Sequence, residues 1–220
     1  MATPLPENEA ERLRFLHQYK VLDSAADAML DNLTRLAAAI CDTPIGLVSL
    51  VDEHRQWFKS RVGLDVEETP REHAFCAHTI LSDDLMVVGD AREDERFADN
   101  PLVTSSPSIR FYAGAPLVVA QGIRLGSLCV IDDKPRELSP PQLGALRVLR
   151  DAIVGQLELR RALNDLDTLQ SYLPMCAWCR DIRDTDGEWQ SLQQFVETAA
   201  RVTHSICPKC ARAMKNEASR

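Results

Sequence analysis

Apolar and polar residues recur with two different periods along the first 170 positions. Apolar residues spaced three and four apart predict amphipathic helices over residues 9–19 and 27–42, and Pro44 follows the second helix. Apolar, β-branched runs bounded by polar or turn-forming residues predict strands. These runs cover residues 45–51, 55–62, 85–89, 111–119 and 124–131. A third helix is predicted over residues 74–82, and a Pro- and Ser-rich loop over 101–108.

A much longer helix is predicted to follow. Ser139 can cap its start, and Pro140 and Pro141 fit its first turn. Apolar residues then recur, mostly every three or four positions, at Leu143, Leu146, Leu149, Ile153, Leu157, Leu163, Leu166, Leu169 and Leu173. A helix of about 30 residues is long for one buried only in its own domain. Its second half is therefore either a connector or part of a parallel dimer, a coiled-coil seam interrupted at Arg160 and Arg161.

The order of these elements defines a fold class. Helices and strands do not alternate regularly, so a doubly wound parallel sheet is not expected. The pattern instead predicts an α+β fold, in which an antiparallel sheet carries helices on one face and a long helix follows.

The amino-acid composition limits which binding partners and which cellular compartment we expect. Hydrophobic residues make up 45% and charged residues 26% of the 220 positions, which is the balance of a soluble globular protein. The formal net charge of −8 disfavours nucleic acid as a partner. We also expect no membrane contact, because no apolar run is long enough to span a bilayer. The N-terminus resembles no secretory signal, so the cytoplasm is the expected location.

The seven cysteines divide the chain unevenly. Cys41, Cys76 and Cys129 are scattered over the first 170 residues, whereas the other four fall in the last 45. An odd number cannot all be paired in disulfides within one chain. The last 50 residues hold seven basic and six acidic side chains, so they also lack the acidity of the rest. We therefore predict a main domain over residues 1–160, a helical linker over 161–172 and a Cys-rich module over 173–220.

The four C-terminal cysteines have the spacing of a metal site. Cys176 and Cys179 form one C-x2-C pair and Cys207 and Cys210 a second, with 27 residues between the pairs. Two such pairs supply four thiolates to one tetrahedral ion, which predicts a structural zinc site. His204 could replace one cysteine. The alternatives are a redox-active thiol pair and an iron–sulfur centre. A helix is predicted between the pairs, over residues 188–202.

Several segments of the chain resemble a known family. They read LPENEAERLRFLHQY, VLDS, PIGLVSLVDEHRQWFKSRVGLDVEETPREHAFCAHTI, VVGDAREDERFADNPLV and IRFYAGAPLVVAQGIRLGSLCVIDDKPREL. Over about residues 3–160 they resemble GAF domains, above all those that precede histidine kinases and diguanylate cyclases in bacterial signalling proteins. The resemblance implies a six-stranded antiparallel sheet, helices behind it, a ligand pocket on the other face and dimerisation through the terminal helices. The Cys-rich tail resembles an extension of some bacterial sensors and response regulators.

The resemblance also points to residues that line the pocket. These are Trp57, Phe75, Cys76, His78, Asp90, Asn100, Arg110 and Tyr112. Related photoreceptors attach a bilin through a cysteine directly followed by histidine, but here Ala77 separates the two, so no bilin is expected. Cys76 is then either a pocket residue or a small core residue. Arg110 either binds an acidic ligand or pairs with a nearby aspartate.

The resemblance implies a sensory or regulatory protein of bacterial signal transduction, such as a two-component system. It would bind an unidentified small ligand and relay its presence to a signalling partner through the long helix. No kinase, cyclase or phosphodiesterase domain is present in the chain, and no nucleotide-binding or hydrolase motif is found, so an enzyme is not the first expectation. The alternative is a thiol-based redox enzyme or switch, similar to methionine-sulfoxide reductases, using Cys76 and Cys129 or the tail cysteines. A third possibility is an interaction module whose pocket is filled.

Overall fold

The computed structural model describes residues 5–170, 175–176, 179, 181–183 and 187–199. The chain divides into two compact units, Met1–Asn164 and Asp165–Arg220. The first unit contains several α-helices together with a large antiparallel sheet, so the prediction of an α+β fold is confirmed. Among the described residues, no helix is both long and apolar enough to cross a membrane.

One six-stranded antiparallel sheet organises the first unit. Its strands are β1 (Ile45–Val51), β2 (Arg55–Val62), β3 (Glu68–Pro70), β4 (Met86–Val88), β5 (Phe111–Val119) and β6 (Ile123–Asp132). They lie in the order β3-β2-β1-β6-β5-β4, which places β1 and β6 in the centre. The hydrophobic pattern predicts the other five strands but not β3, because the three residues of β3, Glu-Thr-Pro, are too few to show a period.

Five helices accompany the sheet. They are α1 (Glu9–Gln18), α2 (Ala28–Cys41), α3 (Phe75–Thr79), α4 (Pro101–Thr104) and α5 (Pro140–Gln170). The Asp27 carboxylate caps α2 by accepting hydrogen bonds from the first-turn N–H groups. Two predictions were wrong in detail. The third helix is shorter than residues 74–82, and the first part of the expected loop forms α4, which the Asn100 side chain caps.

The two faces of the sheet bury different residues, because side chains alternate along each strand. One face, which we call the helix-side face, carries aliphatic residues such as Val48, Leu50, Leu128 and Val130. Helices α1, α2 and α5 pack against it with apolar residues including Leu16, Leu30, Leu146, Ile153 and Leu157. These side chains form a continuous buried core, which explains why the helical periodicity is clear in the sequence.

The opposite face is covered by the short helix α3 and by the segment that leads to β5. We call it the α3-side face; it carries Leu47, Val51, Tyr112, Cys129 and Ile131 from the strands. The sequence predicts helices on one face only, whereas the short helix α3 covers the other face as well. Rings and aliphatic side chains pack between α3 and the sheet.

The second unit contains a small hairpin and a helix in its described part. Strands β7 (Ile182–Arg183) and β8 (Trp189–Gln190) pair antiparallel and are followed by α6 (Leu192–Ala199). The predicted helix over residues 188–202 therefore begins later than expected, since Trp189 and Gln190 belong to a strand.

Candidate functional site

Two cysteines meet under the middle of the α3-side face. Cys76 comes from α3, and Cys129 comes from β6 next to the centre of the sheet. Their Sγ atoms lie 3.7 Å apart. Both are buried, with 1% and 0% of their surface exposed. The sequence offers these two residues together as an alternative redox pair, and the fold brings their thiols into contact.

Hydroxyl groups surround this thiol pair. The Tyr112 hydroxyl donates a hydrogen bond of 3.3 Å to Cys76 Sγ, and it also lies 2.7 Å from Thr79 Oγ1 and 3.4 Å from Ser127 Oγ. We call the five residues Cys76, Thr79, Tyr112, Ser127 and Cys129 the thiol–hydroxyl cluster. All five are buried, so each polar group depends on the others for its hydrogen bonds.

A glycine makes room for the tyrosine in this cluster. Tyr112 and Gly114 are two residues apart on β5 and therefore point to the same face. A Cβ atom at position 114 would lie 2.2 Å from the Tyr112 hydroxyl oxygen, well inside van der Waals contact. The absence of a side chain at Gly114 thus allows the phenol to lie flat over the strand and reach Cys76.

The cluster favours a negative charge on one sulfur. Burial alone disfavours the Cys76 thiolate, but the contacts with Cys129 and Tyr112 and the nearby Ser127 and Ser49 hydroxyls outweigh it and lower the pKa of Cys76 to about 7. The contact with Cys76, together with burial, raises the pKa of Cys129 above its usual range. The pKa of Tyr112 is also raised, by burial and by the neighbouring sulfurs. Cys76 is therefore the sulfur that ionises first, and its neighbours remain proton donors.

Aromatic rings close the α3-side face over the cluster. The rings of Phe75 and Phe97 stack with centroids 4.0 Å apart, and Tyr112 lies 5.2 Å from Phe75. The half-buried His78 meets Phe97 edge-on at 4.8 Å. Burial and the nearby Arg96 guanidinium lower the pKa of His78, so the neutral imidazole is favoured. These rings lie on the face to which the family resemblance assigns a ligand pocket.

Three other predicted pocket residues stabilise the loops beside this face. Asp90 pairs with Arg92 at 2.5 Å. Asn100 caps α4 by accepting from the Leu102 N–H at 2.9 Å, and its amide donates to the His73 carbonyl. The Arg110 guanidinium donates to the backbone carbonyls of Val103 and Ile109, rather than to an aspartate.

The structure places Trp57 away from the other candidates. Trp57 belongs to the helix-side core, whereas its neighbour Phe58 faces α3. Two cluster members, Thr79 and Ser127, and the adjacent Ser49 were not proposed from the sequence. Period-two alternation was the available signal, since Ser49, Ser127 and Cys129 occupy the same face as Tyr112.

Part of the predicted zinc site is described. Met175 pairs with Ile182 in an isolated antiparallel bridge, and the Cys176 N–H donates to the Asp181 carbonyl at 2.8 Å. The chain therefore reverses direction between Cys176 and Asp181. Cys179 Sγ lies 3.3 Å from the Asp181 carboxylate. A hydrogen bond from the Asp181 N–H lowers the pKa of Cys179, but contact with Cys176 and with the carboxylate outweighs it and raises the pKa.

The remaining expected ligands, Cys207 and Cys210, and the alternative His204 lie outside the described residues. Within the described part, no group of three or more histidine, cysteine, aspartate or glutamate side chains is arranged to hold a metal ion.

Comparison with known proteins places this fold and site in context. Cyclic di-GMP phosphodiesterase PA2567 from Pseudomonas aeruginosa is 42% identical over 169 residues, which cover 76% of this chain and 29% of that protein. The chain thus corresponds to less than a third of the length of this relative. Its similarity supports a role in signal transduction.

Solved structures share the fold at low sequence identity. A GAF domain from an Acinetobacter phosphoenolpyruvate-protein phosphotransferase has a TM-score of 0.50 and 19% identity, covering 71% of this chain and 96% of that one. The GAF domain of Thermosynechococcus elongatus PixJ, in its blue-light absorbing form, has a TM-score of 0.51 and 13% identity, covering 73% and 94%. The GAF domain model matches residues 25–157. The chain belongs to the GAF domain family.

Proposed function

We propose that this GAF domain is a signalling module that acts through self-association of the long helix α5. The observation that carries the proposal is an exposed apolar stripe on that helix. Leu159, Leu163 and Leu166 are each about half exposed, although they recur at the spacing of a buried helix face. The apolar residues that pack on the sheet end at Leu157. These three leucines thus lie beyond the last residue of α5 that packs in the domain's own core.

The stripe continues toward the start of the helix on the same exposed side. Val148, Ala152 and Gly155 are exposed and precede Leu159 at spacings of four, three and four residues. A Cβ atom at Gly155 would meet nothing within 4 Å, so the helix backbone is open to close approach there. This alternation of spacings is the pattern of a helix that packs against a second helix in a coiled coil. A second copy of this chain, which presents the same stripe, is the partner that we propose.

The oligomeric state tests this proposal. Leu159→Glu places a charge in the stripe without touching the buried core, and we expect it to convert a dimer to a monomer in analytical ultracentrifugation. The matched control is Val66→Glu, because Val66 is similarly exposed, at 49% against 55%, but lies in the loop after β2. A wild-type protein that is monomeric at all concentrations, or dimers that persist in Leu159→Glu, would contradict the proposal.

The signalling partner is proposed from the relative. Because PA2567 is a cyclic di-GMP phosphodiesterase, we propose that this module regulates cyclic di-GMP turnover in the cytoplasm. Replacing the matched segment of PA2567 with this chain should leave a phosphodiesterase whose rate responds to Leu159→Glu. Equal rates for the wild-type and Leu159→Glu chimaeras would argue against relay through α5.

Binding of a small ligand on the α3-side face stays a prediction. Two of the expected pocket residues' rings take part in close packing on this face, since Phe75 stacks on Phe97 and lies beside Tyr112, so we expect a ligand bound there to move this stack. Native mass spectrometry of protein purified from cells is the direct test, since a tightly held ligand would appear as added mass that is lost on denaturation.

Zinc binding by the tail cysteines is also a proposal. The support is the chain reversal at Cys176 and Cys179, which holds two thiols on one turn, as a tetrahedral zinc site requires. Elemental analysis should find one zinc per chain, and Cys207→Ser should lower this content. Iron in place of zinc, or little metal with freely reactive thiols, would support the iron–sulfur or redox alternative.

A further inference from the structure

We propose that Cys76 and Cys129 form a reversible disulfide inside the GAF domain, with a peroxide as the oxidant. The proposal rests on the contact between the two Sγ atoms, 3.7 Å apart across the interface of α3 and β6. A disulfide bond is about 2.05 Å long, so the sulfurs need to approach by less than 2 Å. Rotation of the thiols and a small movement of α3 can supply this approach. The inference does not depend on association through α5.

The surrounding hydroxyls make this pair chemically different from a thiol in an ordinary core. The Ser49 hydroxyl makes no hydrogen bond within the described structure, yet it is close enough to Cys76 to favour its thiolate. A buried hydroxyl without a partner is unfavourable, and ionisation of Cys76 would give it one. Oxidation by peroxide proceeds through the thiolate, so these groups favour the reactive form.

The hydroxyl chain can serve both protonation states of Cys76. While Cys76 is a thiol, Tyr112 can donate to Thr79 Oγ1, which in turn lies 3.4 Å from the Phe75 carbonyl. When Cys76 is a thiolate, Thr79 can donate to Tyr112, and Tyr112 to the sulfur at 3.3 Å. Rotation of two O–H bonds is therefore enough to stabilise the charge, with no movement of heavy atoms.

The reaction balances with one equivalent of hydrogen peroxide. Cys76 first loses its proton, and the thiolate attacks one peroxide oxygen while the O–O bond breaks. The departing hydroxide takes up the proton that Cys76 released and leaves as water. This step leaves Cys76 as a sulfenic acid. The Cys129 sulfur then attacks the Cys76 sulfur, the S–S bond forms, and the hydroxyl group leaves with the Cys129 proton as a second water. The two thiols lose two electrons and two protons, and a dithiol reductant reverses the change.

The disulfide would alter the α3-side face. Cys76 follows Phe75, whose ring stacks on Phe97, so a pull on Cys76 acts directly on the aromatic stack. Tyr112 would lose the sulfur anion as an acceptor and keep Thr79 and Ser127. Because α3 has only five residues, its local opening is the route by which peroxide reaches the sulfurs.

Peptide mapping of the whole chain tests the proposal. The protein is treated with hydrogen peroxide, its remaining thiols are alkylated under denaturing conditions, and it is digested with trypsin. Cleavage after arginine places Cys76 in peptide 72–92 and Cys129 in peptide 125–136. We expect these two peptides to be joined, with the mass of the pair reduced by two hydrogen atoms, and to separate after treatment with dithiothreitol.

Single substitutions provide the matched controls. Cys76→Ser and Cys129→Ser should each abolish the joined peptide, whereas Cys41→Ser should leave it unchanged, because Cys41 is equally buried but lies elsewhere in the core. Absence of the joined peptide in folded wild-type protein, with both thiols recovered in alkylated form, would overturn the proposal. The proposal would also be overturned if Cys41 formed disulfides with Cys76 or Cys129 in amounts equal to the Cys76–Cys129 disulfide. Circular dichroism shows whether each protein is folded. If a variant does not fold, the result for the wild-type protein decides the test.

Discussion

The two faces of one sheet bury their residues for different purposes. On the helix-side face, neighbouring strands present Val48, Leu50, Leu128 and Val130 to the apolar sides of three helices. On the α3-side face, the same strands present sulfur and hydroxyl groups to a helix of five residues. Aliphatic packing stabilises the fold, whereas a buried polar group destabilises it unless that group finds a hydrogen-bond partner. The disulfide chemistry that we propose therefore lies on the face with the smaller covering helix.

Substitution of two adjacent residues of β6 compares directly how much each face contributes to the free energy of unfolding. Leu128 and Cys129 point to opposite faces and are both fully buried. We expect Leu128→Ala to lower the free energy of unfolding by about 3–4 kcal/mol, because it removes apolar contacts and leaves a cavity. Cys129→Ala removes one sulfur atom and should lower it by about 1 kcal/mol. Urea denaturation at neutral pH measures both. Equal losses would mean that the two faces stabilise the fold alike.

The sequence predicts the helix-side face far better than the α3-side face. Helical periodicity in α2 and α5 and apolar runs in β1 and β6 were visible, because many similar residues repeat over long segments. The thiol–hydroxyl cluster joins Cys76 and Cys129 across 53 residues, and no local pattern records that contact. The stacking of Phe97 on Phe75 was equally invisible, since the Phe97 ring comes from the loop between β4 and α4.

A charged cluster at the start of the first unit contrasts with the thiol–hydroxyl cluster. Glu9 pairs with Arg12 at 2.8 Å and with Arg71 at 2.5 Å, and both guanidinium groups are buried. Burial alone would raise the pKa of Glu9, but hydrogen bonds and charge from Arg12 and Arg71 outweigh it and lower the pKa to about 2. This cluster depends on groups that are fully charged at neutral pH, whereas in the thiol–hydroxyl cluster only Cys76 ionises near neutral pH.

Stability should therefore fall in acid through Glu9. Its carboxylate has a lower pKa in the folded state than in the unfolded state, where it is 4.5, so its contribution is complete above pH 4.5. The contribution is lost as the pH falls from about 4.5 to about 2, and it amounts to about 3 kcal/mol. Glu9→Gln should remove a similar amount at pH 7 and flatten that part of the profile. Urea denaturation between pH 2.5 and 7 is the measurement.

An exposed glutamate serves as the control for this prediction. Glu7→Gln alters a carboxylate two residues earlier that is exposed to solvent. We expect its stability profile to follow the wild type within about 0.5 kcal/mol. If Glu9→Gln and wild type lose stability in parallel below pH 4.5, the ion cluster is not the origin of the acid sensitivity.

The smallest expected effect concerns the Tyr112 hydroxyl, and it separates chemistry from stability on the α3-side face. Tyr112→Phe keeps the ring beside Phe75 and removes the hydrogen bond to Cys76. One buried hydrogen bond contributes about 1 kcal/mol, so the unfolding free energy should fall by about that amount. If the same bond stabilises the thiolate during oxidation, the joined Cys76–Cys129 peptide should form roughly fivefold more slowly in peroxide.

Thr79→Val is the matched substitution for this test. It has a similar shape and removes a hydroxyl that contacts Tyr112 but not the sulfurs. Without Thr79 as a competing acceptor, the Tyr112 hydroxyl can donate only to Cys76 or Ser127, so disulfide formation should not slow even though stability falls. A loss of stability without a change of rate in Thr79→Val, together with both changes in Tyr112→Phe, would show that the phenol acts on the thiolate itself. Equal slowing in both variants would instead mean that packing of α3, and not the hydrogen bond, controls the reaction.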